Sequence, residues 1–237
     1  MKVQLSPGAS TNATDFHSHH AIQITLSLGG QCELRTKDKA ILGDVVVAPD
    51  VSHIFEASGQ IALLFVEPES QSGRAILKNL LAEAPLAPIP EKLIPNLIEQ
   101  LATACCLPTV DEESLEALGR SIVRGLAGVA DARLLDERIR KIIGFAASHL
   151  DGPISLGAAA KHVGLSTSRA RHLFVEQVGL PFRTYLLWLR IIKALNIYST
   201  GQSLTYAAHE AGFADSAHFS RTFRRMFGVR ADALQLS

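Results

Sequence analysis

The sequence of 237 residues is poor in cysteine, and its three cysteines offer no disulfide framework. Cys105 and Cys106 are adjacent, Cys32 stands alone, and no CxxC pair indicates a zinc site. The N-terminus lacks the apolar segment of a secretory signal, and no apolar run approaches the roughly 20 residues of a membrane span. These absences predict reduced thiols in a soluble, cytoplasmic protein that makes no membrane contact.

Signatures of common catalytic sites are missing as well. The chain contains no GxSxG element, no phosphate-binding loop and no persuasive pairing of a nucleophile with a base. We therefore expect a protein that is not an enzyme, and we assign no catalytic residue.

Charge is balanced over the whole chain but not along it. Residues 1–130 carry 9 Lys and Arg against 15 Asp and Glu, whereas residues 131–237 carry 14 against 8. A basic C-terminal part suits a nucleic-acid partner, and an acidic N-terminal part does not.

The stretch 215–228 has the pattern of a short two-faced helix. Phe219, Phe223 and Phe227 recur every four residues and predict an apolar inner stripe. The other face carries His218, Arg221, Arg224 and Arg225. A helix with an aromatic inner face and a guanidinium-rich outer face suits the major groove of DNA, although such a pattern also occurs on solvated surface helices.

The segment before this helix strengthens the DNA interpretation. Residues 203–213 predict a short helix with Ser203 as N-cap and Gly212 in the left-handed turn that ends it. Helix, tight glycine turn and basic helix together describe a helix-turn-helix.

The same pattern occurs 48 residues earlier. Ser155, the Ala159-Ala160 pair and Gly164 match Ser203, Ala207-Ala208 and Gly212. A following helix over 167–178 would face outward with Ser168, Arg169, Arg171 and His172. A repeat that keeps caps, turn and core positions predicts two helix-turn-helix units. A helix over 181–198, about 27 Å long, would hold them about one DNA turn apart.

The N-terminal part changes composition near residue 67. Residues 1–67 predict several short strands, among them 21–28, 31–36, 43–49 and 61–66, which suggests a small β-barrel or sandwich. Residues 68–130 predict helices over 73–82, 91–106 and 111–129, whose apolar stripes either pack on the barrel or form a homodimer interface.

Residues 134–230 resemble the DNA-binding domain of the AraC/XylS family of bacterial transcription regulators. The matching residues are Ser155-Leu156, Gly164-Leu165-Ser166, Leu173-Phe174, Gly212-Phe213, His218-Phe219-Ser220-Arg221 and Phe223-Arg224. The resemblance implies that bases are read by Ser168, Arg171 and His172 in the first unit, and by Ser216, Ala217 and Arg221 in the second. It also implies double-stranded DNA as partner, contact with RNA polymerase, and a small-molecule effector. His172 departs from the family, which commonly has Arg there.

His17, His19 and His53 resemble three ligands of a degenerate cupin metal site. Gln23 stands about where a cupin has its Glu ligand. Because that carboxylate is missing, the sequence favours no metal and no other cofactor, and the histidines would line the barrel mouth and contact an organic effector or solvent.

The sequence thus predicts an α+β protein in three parts. These are a cupin-like sensor β-barrel at 1–67, a helical linker or dimerisation region at 68–130, and an all-α DNA-binding domain at 131–237 with two helix-turn-helix units joined by a long helix. The predicted function is a ligand-modulated, sequence-specific transcription regulator. A metal sensor, or a metal-dependent cupin enzyme fused to a DNA-binding domain, is the alternative.

Overall fold

A computed structural model of the chain describes residues 2–6, 14–94, 96–105, 112–128, 135–228 and 230. Apart from a few residues after 229, its contacts divide the chain into two compact units. The first unit is Met1–Arg133 with Met226–Val229, and the second is Leu134–Arg225. Cys106 lies outside the described residues.

Two antiparallel sheets form the framework of the first unit. The larger sheet has the strand order β1-β7-β2-β5-β8, and the smaller one has the order β4-β3-β6. The strands are β1 (Lys2–Ser6), β2 (Ile22–Ser27), β3 (Gln31–Arg35), β4 (Ala40–Leu42), β5 (Val45–Val47), β6 (Ile54–Ser58), β7 (Ile61–Val66) and β8 (Leu86–Pro88). The predicted strands near 21–28, 31–36, 43–49 and 61–66 all form, slightly shorter than expected.

Alternation along the strands explains how the two sheets enclose a core. Leu34 of the smaller sheet packs with Val45, Val47 and Leu86 of the larger sheet, and all four side chains are fully buried. Val46 points the other way, into a second apolar cluster. Because successive side chains of a strand face opposite sides, β5 contributes to both clusters and is buried throughout.

Helices of the first unit cover the second face of the larger sheet. They are α1 (Gln71–Ile76), continued by a π-helical turn (Leu77–Leu81), a 3-10 turn (Glu91–Leu93), α2 (Leu97–Cys105) and α3 (Glu112–Ala127). Ile76, Leu101, Ile122 and Leu126 join the cluster that holds Ile24 and Leu64 of the sheet. The predicted apolar stripes are therefore used for packing on the sheet.

The expected helix at 73–82 forms as a continuous helical stretch over 71–81, whereas the helix at 91–106 is shorter than predicted. The first changes to the π-helical turn, after which Ala82 adopts φ 45°. The second begins only at Leu97, because Pro95 disfavours helical backbone in the residue before it. Between them lies β8, which the helical composition of 68–130 did not predict.

The second unit is all helical. Its helices are α4 (Glu137–Ser148), α5 (Leu156–His162), α6 (Thr167–Val178), α7 (Phe182–Ser199), α8 (Leu204–Glu210) and α9 (Ser216–Phe227), the last of which ends in the first unit. The fold class predicted from the sequence is confirmed, with a sheet-rich N-terminal part and a helical C-terminal part. None of the described helices is long and apolar enough to span a membrane.

Aromatic packing fixes the middle of the second unit. The ring of Phe174 on α6 lies 5.3 Å from Phe182 and 5.5 Å from Tyr185 on α7, in edge-to-face geometry. Trp188, the one tryptophan of the chain, is 1% exposed on the same helix. Edge-to-face aromatic pairs stabilise such contacts beyond their buried area, so α6 is held firmly on α7.

Candidate nucleic-acid interface and histidine cluster

The first predicted helix-turn-helix forms from α5 and α6. Ser155 caps α5 by accepting from the Ala158 amide at 3.1 Å, and Ser166 caps α6 by accepting from the Arg169 amide at 3.2 Å. Between the helices, Gly164 adopts φ +69°. Each cap satisfies an amide at the start of a helix, and the glycine takes the left-handed turn without steric cost.

The second helix-turn-helix, formed by α8 and α9, repeats this construction. Ser203 accepts from the Tyr206 amide at 3.1 Å, and Asp215 Oδ1 accepts from the His218 amide at 2.5 Å. Gly212 adopts φ +82°. The small residues Ala207 and Ala208 are fully buried, which lets α8 pack closely against α7. Both units predicted from the repeat are therefore present with their caps and turns.

The predicted base-reading side chains lie on the open faces of α6 and α9. Ser168, Arg169, Arg171, His172, Ala217, Arg221, Arg224 and Arg225 are exposed, and Ser216 and His218 are half-buried. The opposite faces are buried through Ala170, Leu173, Phe174 and Val178 on α6, and through Phe219 and Phe223 on α9. Among the described residues, Arg171, Arg221 and Arg225 form no ion pair. Their guanidinium groups are thus available to an external anion.

A groove of about 580 Å³ lies between the two helix-turn-helix units. Arg171 of α6 and His218 of α9 both line it, together with Arg183 and Arg190 of α7. Sequence reasoning did not select Arg183 or Arg190, because it treated α7 only as a spacer. The helical period of α7 could have indicated these two arginines, because it shows which residues of α7 share a face that can be compared with the basic faces of α6 and α9.

Phe227 corrects one detail of the predicted apolar stripe. Phe219 and Phe223 pack together at 5.8 Å between ring centroids. Phe227, the third member of the stripe, instead packs within the first unit, 5.3 Å from Phe65 and 5.9 Å from His19. The helical period alone could not show this, because the partner rings lie far away in the sequence.

His17, His19 and His53 come together inside the first unit. Each offers a ring nitrogen, and these nitrogens all lie within 4.8 Å of one another. Backbone pairing fixes two of the three, since the His17 amide donates to the His53 carbonyl at 3.0 Å and the His53 amide donates back at 2.9 Å. All three side chains are buried. The cluster is therefore an internal feature of the fold.

The environment of the cluster favours neutral imidazoles. Burial lowers the pKa of His17 to about 4 and the pKa of His53 to about 3. Burial also lowers the pKa of His19. A neutral imidazole has one N–H and one nitrogen with a lone pair, which can accept a hydrogen bond or bind a metal ion.

Gln23 belongs to the same cluster, which the sequence treated only as a missing Glu. Its Oε1 lies 2.9 Å from His19 Nε2 and 3.3 Å from His53 Nε2, and its side chain is 1% exposed. His20, next in the chain, is not a member. Its Nε2 lies 3.1 Å from Glu69 Oε2 instead.

Comparison with known proteins places the C-terminal part among helix-turn-helix domains. A family described as a helix-turn-helix domain matches residues 159–235. The transcriptional activator RhaS of Escherichia fergusonii is 35% identical over 94 residues, which is 39% of this chain and 34% of RhaS. The arabinose operon regulatory protein of Escherichia coli K12 is 32% identical over 97 residues, 40% of this chain and 33% of that protein. The chain thus spans about a third of the length of these curated relatives.

The whole chain is similar in fold to ToxT of Vibrio cholerae. One ToxT crystal structure gives a TM-score of 0.62 at 13% identity and covers 99% of this chain and 98% of ToxT. A ToxT structure with bound unsaturated fatty acid gives a TM-score of 0.58 at 14% identity, covering 97% and 92%. At such identities the similarity concerns the fold alone. It confirms the predicted arrangement of a sheet-rich N-terminal part and a helical C-terminal part.

Proposed function

From the match of residues 159–235 to a helix-turn-helix domain family and their similarity to the arabinose operon regulatory protein, we infer that this chain is a sequence-specific DNA-binding transcription regulator and not an enzyme. The observation that carries this proposal is the pair of capped helices, α6 and α9, each with a buried apolar face and an exposed face. Arg171 and Arg221 on these exposed faces have no anionic partner among the described residues. Both helices belong to one domain, so one chain would present two DNA-reading helices to the same DNA.

The two DNA-reading helices, α6 and α9, differ in how they would read bases. Arg171 and Arg221 each supply a planar donor fork that fits guanine O6 and N7. Ala217 is apolar and exposed, so the thymine methyl group is its natural target. Arg183, in the groove between the two helix-turn-helix units, would instead neutralise a phosphate and fix the register. Arg190 lines the same groove, but its Nη2 already donates to the Gly152 carbonyl at 3.2 Å.

The first unit is proposed to bind a ligand that modulates DNA binding. Support comes from the buried histidine cluster between strands of the two-sheet framework, and from the ToxT structure that holds a fatty acid on a similar fold. Homodimer formation, predicted from the apolar stripes of residues 68–130, and contact with RNA polymerase, implied by the resemblance, stay predictions. The apolar faces of α1 to α3 are already used against the sheet, so a dimer would have to use their outer faces.

The test is selection from random duplexes by the purified chain, followed by affinity measurements over a range of salt concentrations. We expect a consensus of two short blocks about one helical turn apart. Recovery of no consensus, with affinity that collapses steeply in salt, would indicate nonspecific attraction to phosphate and would contradict the proposal.

A further inference from the structure

We propose that Arg190 is a positioning residue that fixes the separation and the relative rotation of the two helix-turn-helix units. The protein would then accept only one spacing between the two sequence blocks of its DNA site. This inference rests on the proposed function, because it concerns how α6 and α9 share one duplex. It gives α7, the helix that joins the two units, a part in the choice of the DNA site.

The guanidinium group of Arg190 lies where the two helix-turn-helix units meet. Its Nη2 donates to the Gly152 carbonyl at 3.2 Å, in the segment between α4 and α5. Its Nε lies against Gly212, the turn of the second helix-turn-helix, where a Cβ would be 3.1 Å away. One side chain of α7 therefore touches the entrance of the first helix-turn-helix and the turn of the second.

Two further contacts complete the joint, by which we mean the contact of residues 150–152 with α7 and with Gly212. A Cβ at position 212 would be even closer to the Leu150 carbonyl oxygen than to Arg190. Lys193, about one turn further along α7, donates to Asp151 Oδ1 at 3.0 Å. Residues 150–152 are thus fastened to α7 and packed on the second helix-turn-helix at once. A segment held on both sides cannot slide, so α6 and α9 keep a fixed relation.

Packing alone does not explain an arginine at this position. The Nε of Arg190 is buried and has no hydrogen-bond partner among the described residues. Burial also lowers the pKa of its guanidinium group. A methionine would fill much of the same space without these costs of burying a polar group. What the guanidinium adds is the hydrogen bond to Gly152 and the close fit against Gly212.

A fixed joint has a direct consequence for DNA recognition. Successive major-groove segments on one face of DNA are about 34 Å apart, and each inserted base pair moves the second block by about 3.4 Å and turns it by about 35°. Two rigidly joined helices cannot follow that movement, so a duplex with an altered spacer would be held by one helix only. The gain from binding with two linked helices is lost where the geometry forbids both from binding together.

The experiment measures the affinity of the full chain, by fluorescence anisotropy, for three kinds of duplex. These are the selected site, the same site with one base pair inserted into or removed from its spacer, and each block alone. We expect the wild type to bind the selected site at least about tenfold more tightly than the altered spacers. In Arg190→Met this preference should fall below about threefold, because a loosened joint lets both helices bind. Affinity for each single block should stay unchanged.

Matched variants separate the joint from charge and from stability. Arg183→Met is the control, because Arg183 is an exposed arginine of α7 that lines the same groove, and it should weaken binding to all spacers alike. Arg190→Lys keeps a donor for the Gly152 carbonyl and should restore the spacer preference. Arg190→Gln is too short for that carbonyl and provides a second test if Arg190→Met does not fold. Urea unfolding followed by Trp188 fluorescence shows which variants are folded.

Each result has a definite meaning. A wild-type spacer preference in folded Arg190→Met and Arg190→Gln would overturn the role of Arg190, and so would an equal loss for single blocks and for the full site. A wild type that binds all spacers alike would overturn the fixed joint and leave the proposed function intact. Failure of the random selection to return any consensus would instead count against the proposed function, before any spacer is compared.

Discussion

Gly212 lies so close to the Leu150 carbonyl that no side chain fits between them. A Cβ at position 212 would be 2.3 Å from the Leu150 oxygen and 3.1 Å from Arg190 Nε. Gly164, at the equivalent turn of the first helix-turn-helix, also has a positive φ but has open space around the position of a Cβ. The two turns thus share a conformation but differ in packing.

This difference predicts unequal effects of alanine at the two turns. Gly164→Ala should lower the free energy of unfolding by about 1–2 kcal/mol, the cost of a left-handed non-glycine residue. Gly212→Ala should cost about 3 kcal/mol or more, because a backbone oxygen must also move. Urea unfolding followed by the fluorescence of Trp188 reports directly on this unit. Equal losses in the two variants would show that crowding at Gly212 is unimportant.

Arg221 tests whether the exposed face of α9 meets DNA. If Arg221 holds a guanine, Arg221→Ala should remove discrimination at one base pair, about 1–3 kcal/mol. If it holds a phosphate, all sequences should weaken alike and the slope of affinity against salt should fall by about one. Arg140→Ala is the control, since Arg140 is exposed on α4 and already pairs with Glu137. Unchanged affinity and salt slope in Arg221→Ala would contradict the placement of α9 in the groove.

The parts of the fold that the sequence predicts are those with local causes. Ser155 and Ser203 cap helices three residues ahead of the amides that they bind, so their role is visible in a short stretch. β8 could not be predicted in this way, because its three residues form a strand only by pairing with β5, about 40 positions earlier. The position of a strand partner depends on the whole topology rather than on its own composition.

The histidine cluster shows the same limit of prediction from sequence, here for a site rather than for a strand. The resemblance to cupins was sufficient to select His17, His19 and His53. The role of Gln23 was missed, because an amide in place of a carboxylate suggested a lost site. Only the distances from its oxygen to two ring nitrogens show that it faces the cluster.

His172 stands exposed on α6, at a position where the resemblance to AraC/XylS regulators implies arginine. Imidazole offers one donor in its neutral form, whereas a guanidinium offers a planar fork. His172→Arg should therefore tighten binding to the selected duplex by about fivefold or more, equivalent to about 1 kcal/mol. Glu176→Gln, on an exposed position of the same helix, controls for the simple change in net charge. Equal gains in both variants would indicate charge attraction rather than a specific contact.

Asp136 links the stability of the second unit to pH. Its Oδ1 caps α4 by accepting from the Arg138 amide at 2.9 Å, and its carboxylate also accepts from the Arg138 guanidinium. These hydrogen bonds lower the pKa of Asp136 to about 2, from an ordinary value of 3.8. A lowered pKa in the folded state means that the stabilising contribution is complete above about pH 4 and is lost as the pH falls toward about 2.

Two substitutions of Asp136 separate the cap from the charge. At neutral pH, Asp136→Ala should lose about 1 kcal/mol of stability, and Asp136→Asn should lose less because an amide oxygen still caps the helix. Between about pH 4 and about pH 2, the difference in free energy of unfolding between wild type and Asp136→Asn should narrow as the carboxylate takes up its proton, while the difference between the two variants stays constant. Urea unfolding followed by Trp188 fluorescence at several pH values measures both differences in free energy of unfolding. If the difference in free energy of unfolding between wild type and Asp136→Asn widened on acidification, its sign would be wrong. That result would rule out a stabilising carboxylate at this position.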